Sequence, residues 1–381
     1  MNNREIISFI KKTFKSKEFI PLHAPVFIGN EKRYVLDTID STFVSSVGAY
    51  VDQAEQMIKD ITGAKYAIAT VNGTAALHIA LLLAQVTRDC EVITQPITFV
   101  ATCNAIAYCG ATPIFIDVDI DTLGMSPASL EKFLKENAYI ESGKCYNKKT
   151  KKRIAACVPM HTFGFPCRIV EIKKICAKYC IKLVEDSAES IGSTISGQHT
   201  GTFGKVGVLS FNGNKIVTSG GGGMIITNDE ELGKRAKHIT TTAKIPHKWL
   251  YDHDELGFNY RMPNLNAALI CAQLEQLDEL ISNKRELALA YKDFFKESPI
   301  GFVFEMDGSI ANYWLNTIVL RDKKERDAFL EASNENKVMT RPIWRLMNEL
   351  SMYKDCQCSD LPNAKQLQDC VVNIPSSYRS S

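Results

Sequence analysis

The sequence predicts an α/β protein, with a mostly parallel sheet between helices in a large domain and a smaller C-terminal α/β domain. Short apolar runs alternate with helical segments from Tyr66 to Glu185, over roughly 120 residues, which is typical of βαβ units. From Gly257 onward the pattern becomes mainly helical. We therefore divide the chain into residues 1–255 and residues 256–381.

The elements before and within the alternating region follow from their residue patterns. Three helices are expected first, at 4–15, 31–43 and 50–62. Apolar runs predict strands at 66–70, 91–94, 113–118, 154–160, 181–185, 206–211 and 224–227. Helices are expected between them at 75–84, 98–109 and 169–179. A further helix begins at Ser126 and Pro127, because serine caps a helix and proline fixes φ in its first turn.

The C-terminal part has its own signals. Pro263 opens a helix to about Ile281, and an apolar stripe indicates that the helix packs on the core or on another subunit. We expect further helices at 283–295, 323–332 and 365–372, and a strand at 314–320.

Composition excludes several classes of protein. The chain of 381 residues has a net charge of +2, which gives no footprint for nucleic acid or an acidic membrane. We expect no secretory signal, and no stretch approaches the ~20 apolar residues of a membrane span. The twelve cysteines are scattered, without a Cys-x-x-Cys pair. We therefore predict mostly buried thiols in a reducing, cytoplasmic setting and no metal site.

One lysine lies in an unusual setting. Lys215 follows the predicted strand that ends at Phe211 and precedes four glycines, 220–223. Glycines in a row cost backbone entropy and allow close approach to the backbone. The stretch alone fits two structures equally well. One is a flexible hairpin with a solvated lysine, and the other is a lysine held in a pocket, where it can form a Schiff base.

Polar residues also follow the predicted strands. Asn72-Gly73-Thr74, Thr98-Phe99, His161 and Asp186 all come directly after apolar runs. Ligands of parallel sheets bind beyond the carboxyl ends of the strands. A glycine turn that opens a helix offers free N–H groups to an anion, although Asn72-Gly73-Thr74 alone is no more than a helix cap. Asp186 caps a helix, belongs to a structural ion pair, or is the partner of a cationic ring nitrogen.

Together these features predict pyridoxal 5′-phosphate as cofactor. It needs an amine to capture its aldehyde, an acid beside its pyridine nitrogen and a cup of N–H and hydroxyl donors for its phosphate. Lys215, Asp186, Thr74 and Ser210 meet these needs, and Phe99 offers a planar aromatic group for the ring.

From about Pro25 to Pro375 the chain resembles the DegT/DnrJ group of sugar-nucleotide aminotransferases, which have the fold type I architecture. The shared motifs are Asn72-Gly73-Thr74-Ala75-Ala76-Leu77, Thr98-Phe99-Val100-Ala101-Thr102, Val158-Pro159-Met160-His161, Glu185-Asp186-Ser187-Ala188-Glu189, Ser210-Phe211 with Lys215, and Gly257-Phe258-Asn259-Tyr260-Arg261-Met262. Val44-Ser45-Ser46-Val47-Gly48 with Asn212-Gly213-Asn214-Lys215 looks most like the legionaminic acid and bacillosamine enzymes.

The resemblance implies a role for each matching residue. Lys215 would be the catalytic residue and the attachment site of the cofactor. The other cofactor contacts implied are Asp186 at the ring nitrogen, Phe99 on the ring, Glu189 near the phenolic oxygen, and Gly73, Thr74 and Ser210 at the phosphate. Asn259 would reach the phosphate of a neighbouring subunit, which implies a homodimer with shared active sites.

The resemblance also implies substrates. L-Glutamate would donate its amino group to C4 of a nucleotide-linked 4-keto-6-deoxy-N-acetylhexosamine, with UDP as the expected nucleotide, for nonulosonic acid or bacillosamine-type surface glycans. Two residues depart from the pattern of many relatives. Glu189 replaces Gln or His and is protonated or turned away, and Gly221 replaces a glutamate.

Alternatives remain at this point. Amination at C3 is not excluded, and cofactor-dependent sugar dehydratases of the group carry histidine in place of Lys215. A non-catalytic regulator is a distant third reading. Tyr313, Trp314 and Arg341 contact the substrate or are ordinary packing and surface residues, and His161 lines the site or is structural.

Overall fold

The computed structural model describes residues 1–379. The chain starts with three helices, α1 (Asn3–Thr13), α2 (Glu31–Asp40) and α3 (Ala49–Thr62). The alternating region follows, in the order β1 (Tyr66–Thr70), α4 (Gly73–Leu83), β2 (Cys90–Thr94), α5 (Val100–Tyr108), β3 (Thr112–Phe115), α6 (Pro127–Asn137), β4 (Ala138–Glu141), β5 (Lys144–Asn147), β6 (Arg153–Val158), α7 (Ile169–Lys178) and β7 (Lys182–Asp186). Next come the short strands β8 (Thr194–Ile195) and β9 (Gln198–His199), then β10 (Val206–Ser210), β11 (Gly223–Thr227) and α8 (Glu230–Thr240).

The C-terminal part combines helices with a small sheet. Its elements are α9 (Asn264–Leu274), α10 (Leu277–Phe295), β12 (Gly301–Phe302), β13 (Ser309–Ile310), β14 (Asn316–Val319), α11 (Lys323–Glu335), β15 (Arg341–Pro342), α12 (Pro362–Cys370) and β16 (Val371–Ile374). Four of these strands form an antiparallel sheet in the order β12-β14-β16-β15. The division at residue 255 stays a prediction.

The large sheet confirms the predicted fold class. Its order is β1-β11-β10-β7-β6-β2-β3, and the hairpin β4–β5 is attached at β6. The pairs from β10 to β3 are parallel, whereas β11 runs antiparallel to both neighbours. Adjacent strand residues such as Leu183 and Val184 are buried in separate clusters, one against α6 and α7 and one against α4, α5 and α8. Helices therefore cover both faces of the sheet.

Several predicted boundaries were wrong. The helix predicted to run to Ile281 ends at Leu274, where buried Gln273 donates to Val26 O and Glu31 Oε1. The helix therefore ends at a contact with the N-terminal segment. No glycine or proline marks this end in the sequence. The helix predicted to reach Val372 ends at Cys370, because Val371 and Val372 pair with strands on either side. Helix α8 and the hairpin β4–β5 were not predicted.

Most of the cysteines are buried, as the sequence analysis predicted. Eight cysteines are buried, and all twelve are free thiols. Among residues 1–379, no helix has both the length and the apolar character that a membrane span requires. The cytoplasmic location stays a prediction.

Candidate active site

A cavity of about 350 Å³ lies at the carboxyl ends of the parallel strands. The β1–α4 turn, the β2–α5 loop, the ends of β7 and β10 and two C-terminal loops contribute to its walls. All predicted site residues except Asn259 line it. The full lining is Asn72, Gly73, Thr74, Leu77, Phe99, Ala101, Thr102, Met160, Asp186, Ala188, Glu189, Ser210, Asn212, Asn214, Lys215, Trp314 and Trp344.

The N-terminus of α4 forms one wall. Asn72 caps the helix, and its Oδ1 accepts from Ala75 N at 2.8 Å. Within residues 1–379, the N–H groups of Gly73 and Thr74 have no acceptor, as expected for a first turn. A Cβ on Gly73 would lie 2.9 Å from the Cβ of Ser210. Glycine thus lets the helix approach Ser210, and the two N–H groups and the hydroxyl groups of Thr74 and Ser210 face one space.

The glycine segment connects two paired strands, as the hairpin interpretation predicted. Gly220 and Gly222 have positive φ values of 76° and 128°. A Cβ on Gly223 would lie 2.5 Å from Asn72 O, so this glycine holds the hairpin against the entry to α4. Gly221 differs, because the nearest atom to an added Cβ is Val71 O at 3.6 Å. A side chain therefore has room there, and nothing in the backbone requires glycine.

Asp186 ends β7 and is buried. Its Oδ2 accepts from Thr102 Oγ1 at 2.7 Å, and its Oδ1 accepts from Ala188 N at 3.2 Å. Burial raises the pKa of this carboxyl group, although these bonds and the nearby charge of Lys215 oppose the shift. Among the described residues no cation lies within ion-pair distance of Asp186. A cationic group of a ligand would supply that missing partner.

Lys215 is not a solvated lysine. Its side chain is 12% exposed, and Nζ lies 3.0 Å from Oε1 of Glu189. Glu189 is buried and not turned away from the cavity, and its Oε2 accepts from Phe163 N at 2.9 Å. Burial raises the pKa of Glu189, with Lys215 opposing. The lysine is therefore held in a pocket, and its attachment to a cofactor stays a prediction.

Three aromatic side chains also line the cavity, those of Phe99, Trp314 and Trp344. Phe99 is 52% exposed, and its ring lies 6.4 Å from the ring of Trp344, centroid to centroid. Trp344 packs on Phe163 at 4.8 Å, and Trp314 lies with its ring against Lys215 Nζ. Phe99 is thus placed to cover a planar ligand, and its stacking on the cofactor stays a prediction.

Asn259 lies outside the cavity. Its side chain is exposed, and its Oδ1 accepts from Arg261 Nε at 3.1 Å. The next residue, Tyr260, accepts through its carbonyl oxygen from Val71 N, which places Asn259 near the entry to α4. Its predicted role in a second subunit remains a prediction.

The structure shows whether the residues with two possible roles line the cavity or belong to the fold. His161 is buried against Glu185 and does not line the cavity, so it is structural. Tyr313 is core, and exposed Arg341 bonds to Thr340 O and Asn334 Oδ1. Sequence reasoning missed the cavity residues Thr102 and Trp344. Thr102 belongs to a quoted motif and could have been found, because its hydroxyl lies in the first turn of α5, at the same edge of the sheet as Asp186 at the end of β7.

Comparison with known proteins decides the family. Residues 27–380 match the DegT/DnrJ/EryC1/StrS aminotransferase family. The chain belongs to this family. It is 36% identical over 359 residues to the GDP-perosamine synthase of Escherichia coli O157:H7, covering 94% of this chain and 93% of the relative. It is 34% identical to the GDP-perosamine synthase of Vibrio cholerae, covering 94% of each.

Solved structures agree. The aminotransferase TlmJ from Streptoalloteichus hindustanus superposes with a TM-score of 0.85 at 25% identity, covering 94% of this chain and 93% of that one. The protein is a sugar aminotransferase of fold type I that depends on pyridoxal 5′-phosphate. Its own residues fit that cofactor, since Asp186 lacks a cation, the start of α4 has free N–H groups and Lys215 faces the same cavity.

Proposed function

We propose that the chain transfers the amino group of L-glutamate to C4 of a 4-keto-6-deoxyhexose that is linked to a nucleoside diphosphate. The observation that carries this proposal is the grouping of Lys215, Asp186 and the start of α4 around one cavity. The names of the relatives support a nucleotide sugar as acceptor, because GDP-perosamine synthases aminate C4 of a GDP-linked sugar.

Each residue has one task in this proposal. Asp186 would hold the ring nitrogen of the cofactor in its protonated form, and Gly73, Thr74 and Ser210 would bind the phosphate. When bound, the cofactor supplies an electron sink for carbanion chemistry. Lys215 would be its attachment site, and Nζ, once free, would take the proton from the α-carbon of glutamate. The same nitrogen would return a proton at C4 of the sugar in the second half-reaction.

The acceptor has two candidates. The motifs at Val44–Gly48 and Asn212–Lys215 favour a UDP-linked N-acetylhexosamine, as in the bacillosamine and legionaminic acid routes. The relatives favour a GDP-linked sugar. Lys215 counts against the dehydratase alternative, because those enzymes carry histidine there.

We propose further that two subunits share each active site. Asn259 is exposed and outside its own cavity, as a residue would be that serves a second copy. Large apolar side chains on α2 and the following loop are also exposed, which suits an interface between copies. These are Leu36, Ile39, Phe43, Val44 and Val47.

Subunit mixing tests this arrangement. Lys215→Ala and Asn259→Ala are each expected to lower activity, and only a mixed dimer regains one native site. Random exchange should restore about a quarter of the wild-type activity. A mixture no more active than its parents would contradict shared sites.

The substrate is tested with purified protein, pyridoxal 5′-phosphate and L-glutamate. GDP-linked and UDP-linked 4-keto-6-deoxy sugars, the latter with a 2-acetamido group, are offered in parallel, and products are identified by mass spectrometry and NMR. We expect a new C4 amino group on one of the two. An amino group at C3, or no product with either, would contradict the proposal.

A further inference from the structure

The amine of Lys215 is held from two sides. Glu189 Oε1 lies 3.0 Å from Nζ on one side. On the other side the centre of the Trp314 ring lies 3.8 Å from Nζ. The face of an indole ring attracts a cation, and it also excludes water from that side of the nitrogen. The two contacts together define one position for the amine.

Trp314 is also fixed to the loop that carries the lysine. Its Nε1–H donates to Asn214 O at 2.7 Å, and Asn214 is the residue before Lys215. The carbonyl oxygen of Trp314 accepts from the buried Nζ of Lys284 at 3.2 Å. The ring therefore cannot move away from Lys215 without breaking its hydrogen bond to Asn214 O, and the contact with Lys284 fixes the backbone that carries the ring.

Asn312 connects Trp314 back to Glu189. Its Nδ2 donates to Glu189 O at 2.9 Å, and its Oδ1 accepts from Trp314 N at 2.9 Å. A Cβ on Gly164 would lie 1.9 Å from that Oδ1, so only glycine leaves room for it. Lys215, Glu189, Asn312, Trp314 and Asn214 thus form a closed ring of contacts.

The backbone at this point is strained. Tyr313, between Asn312 and Trp314, has a φ of 49°, which bulky residues rarely adopt. Such strain is kept where surrounding contacts demand it, and it is concentrated at functional sites. Here the strain at Tyr313 allows its neighbours Asn312 and Trp314 to take their places in the ring of contacts.

We propose that Trp314 is a positioning residue for Lys215. It holds the free amine at one place beside the reacting carbon and keeps water from it, so that proton transfer starts from the same geometry in both half-reactions. The inference rests on the proposed catalytic role of Lys215. Placement matters at this scale, since a shift of about 1 Å can cost about 100-fold in rate.

The test compares two substitutions in single turnovers with L-glutamate, followed by the visible absorbance of the bound cofactor. Trp314→Leu removes the ring face, and we expect a maximal rate lower by roughly 10- to 100-fold with little change in the half-saturating glutamate concentration. Trp314→Phe restores a ring face but not the N–H, and should recover most of that loss. Visible circular dichroism should weaken in Trp314→Leu, because the amine then no longer holds the cofactor in one orientation.

Tyr291→Phe is the matched control. It also removes a buried aromatic donor to a backbone carbonyl, the bond from Tyr291 OH to Pro375 O at 3.0 Å, but Tyr291 does not line the cavity. Its rate and dichroism should equal those of the wild type. If Trp314→Leu does not fold, hydrogen exchange of residues 211–219 in cofactor-free Trp314→Phe takes its place, and faster exchange than in Tyr291→Phe is expected.

Two results would overturn the proposal. One is a normal maximal rate with normal dichroism in Trp314→Leu. Where that variant does not fold, the equivalent result is unchanged hydrogen exchange of residues 211–219 in Trp314→Phe. The other is a loss that lies entirely in the half-saturating concentration, which would make Trp314 a substrate contact. Failure of the proposed role of Lys215 is distinct, because reduction with borohydride would then leave the cofactor on another lysine in the wild type. Failure of glutamate as donor is distinct as well, because the wild type would then show no single turnover.

Discussion

Two buried acid–base contacts lie within four residues of each other and differ in one respect. Glu185, within β7, has its Oε2 3.1 Å from His161 Nε2. Glu189, just after β7, has its Oε1 3.0 Å from Lys215 Nζ. The lengths are alike, and both carboxyl groups are buried. Length and burial therefore do not tell a structural contact from a functional one.

The difference lies in what completes each contact. Glu185 also accepts from the N–H groups of Gly201 and Gly204, and His161 Nδ1 accepts from Cys167 N, so both partners are saturated by protein. Lys215 and Glu189 instead open onto the cavity beside Asp186, which lacks a cation. A closed contact holds the fold, whereas an open one is available to a ligand.

The largest expected effect is on the open contact. Lys215→Ala should reduce turnover on the order of 10⁴-fold or more, because attachment and proton transfer are both lost. Steady-state assays should show this while circular dichroism shows an unchanged fold. Near-wild-type turnover of Lys215→Ala would mean that the Lys215–Glu189 contact is no more functional than the His161–Glu185 contact.

Asp186→Asn should cause the second largest loss of turnover. The amide cannot keep the ring nitrogen protonated by charge, so turnover should fall roughly 100- to 1,000-fold. Cofactor binding should weaken but persist, since the start of α4 is unaltered. Unchanged turnover would contradict a role at the ring nitrogen.

Glu185→Gln and Glu189→Gln test the comparison itself. In Glu185→Gln, the NH2 group of the new amide would face the N–H groups that now donate to the carboxylate, so one buried donor would lose its acceptor. This should lower the free energy of unfolding by about 3 kcal/mol. The amide at 189 still accepts from Phe163 N, and its NH2 group then faces Lys215, whose amine can turn into the open cavity. The loss should therefore be about 1 kcal/mol or less. Urea melts of both proteins give the difference. Equal losses would mean that the contact at Lys215 is as structural as the one at His161.

Gly73→Ala should have a smaller effect, confined to the cofactor. The added Cβ would meet Ser210 at 2.9 Å and push the start of α4 from the hydroxyl group. We expect a dissociation constant for pyridoxal 5′-phosphate that is about 10-fold higher, or about 1.4 kcal/mol. Gly221→Ala is the matched control, because its Cβ has room, and it should bind the cofactor as the wild type does.

The smallest effect concerns Lys284 behind the cavity. Burial lowers its pKa to about 7, from 10.5 when unfolded. Between these values the unfolded chain binds the extra proton, so this residue makes stability rise with pH from about 7 toward 10.5. Relative to Lys284→Met, the wild type should gain up to about 1.4 kcal/mol per pH unit over this window in urea melts. Parallel pH profiles would show that the residue does not titrate there.

Sequence alone predicted the large, mostly parallel sheet and placed seven of the eight proposed site residues on one cavity, because period, apolar runs and glycine turns are local signals. It could not predict the contact between Lys215 and Trp314, which are 99 residues apart and meet only through the closed ring around Asn312. It was also undecided about His161, whose motif position resembles that of a site residue. Its place outside the cavity lining and the saturation of Glu185 by Gly201 and Gly204 show that His161 belongs to the fold.

The most direct measurement maps the lysine that carries the cofactor. The protein loaded with pyridoxal 5′-phosphate is reduced with borohydride, digested and analysed by mass spectrometry. We predict a single modified peptide with the cofactor on Lys215. Modification of another lysine, or labelling spread over several surface lysines, would contradict the assignment of this cavity as the active site.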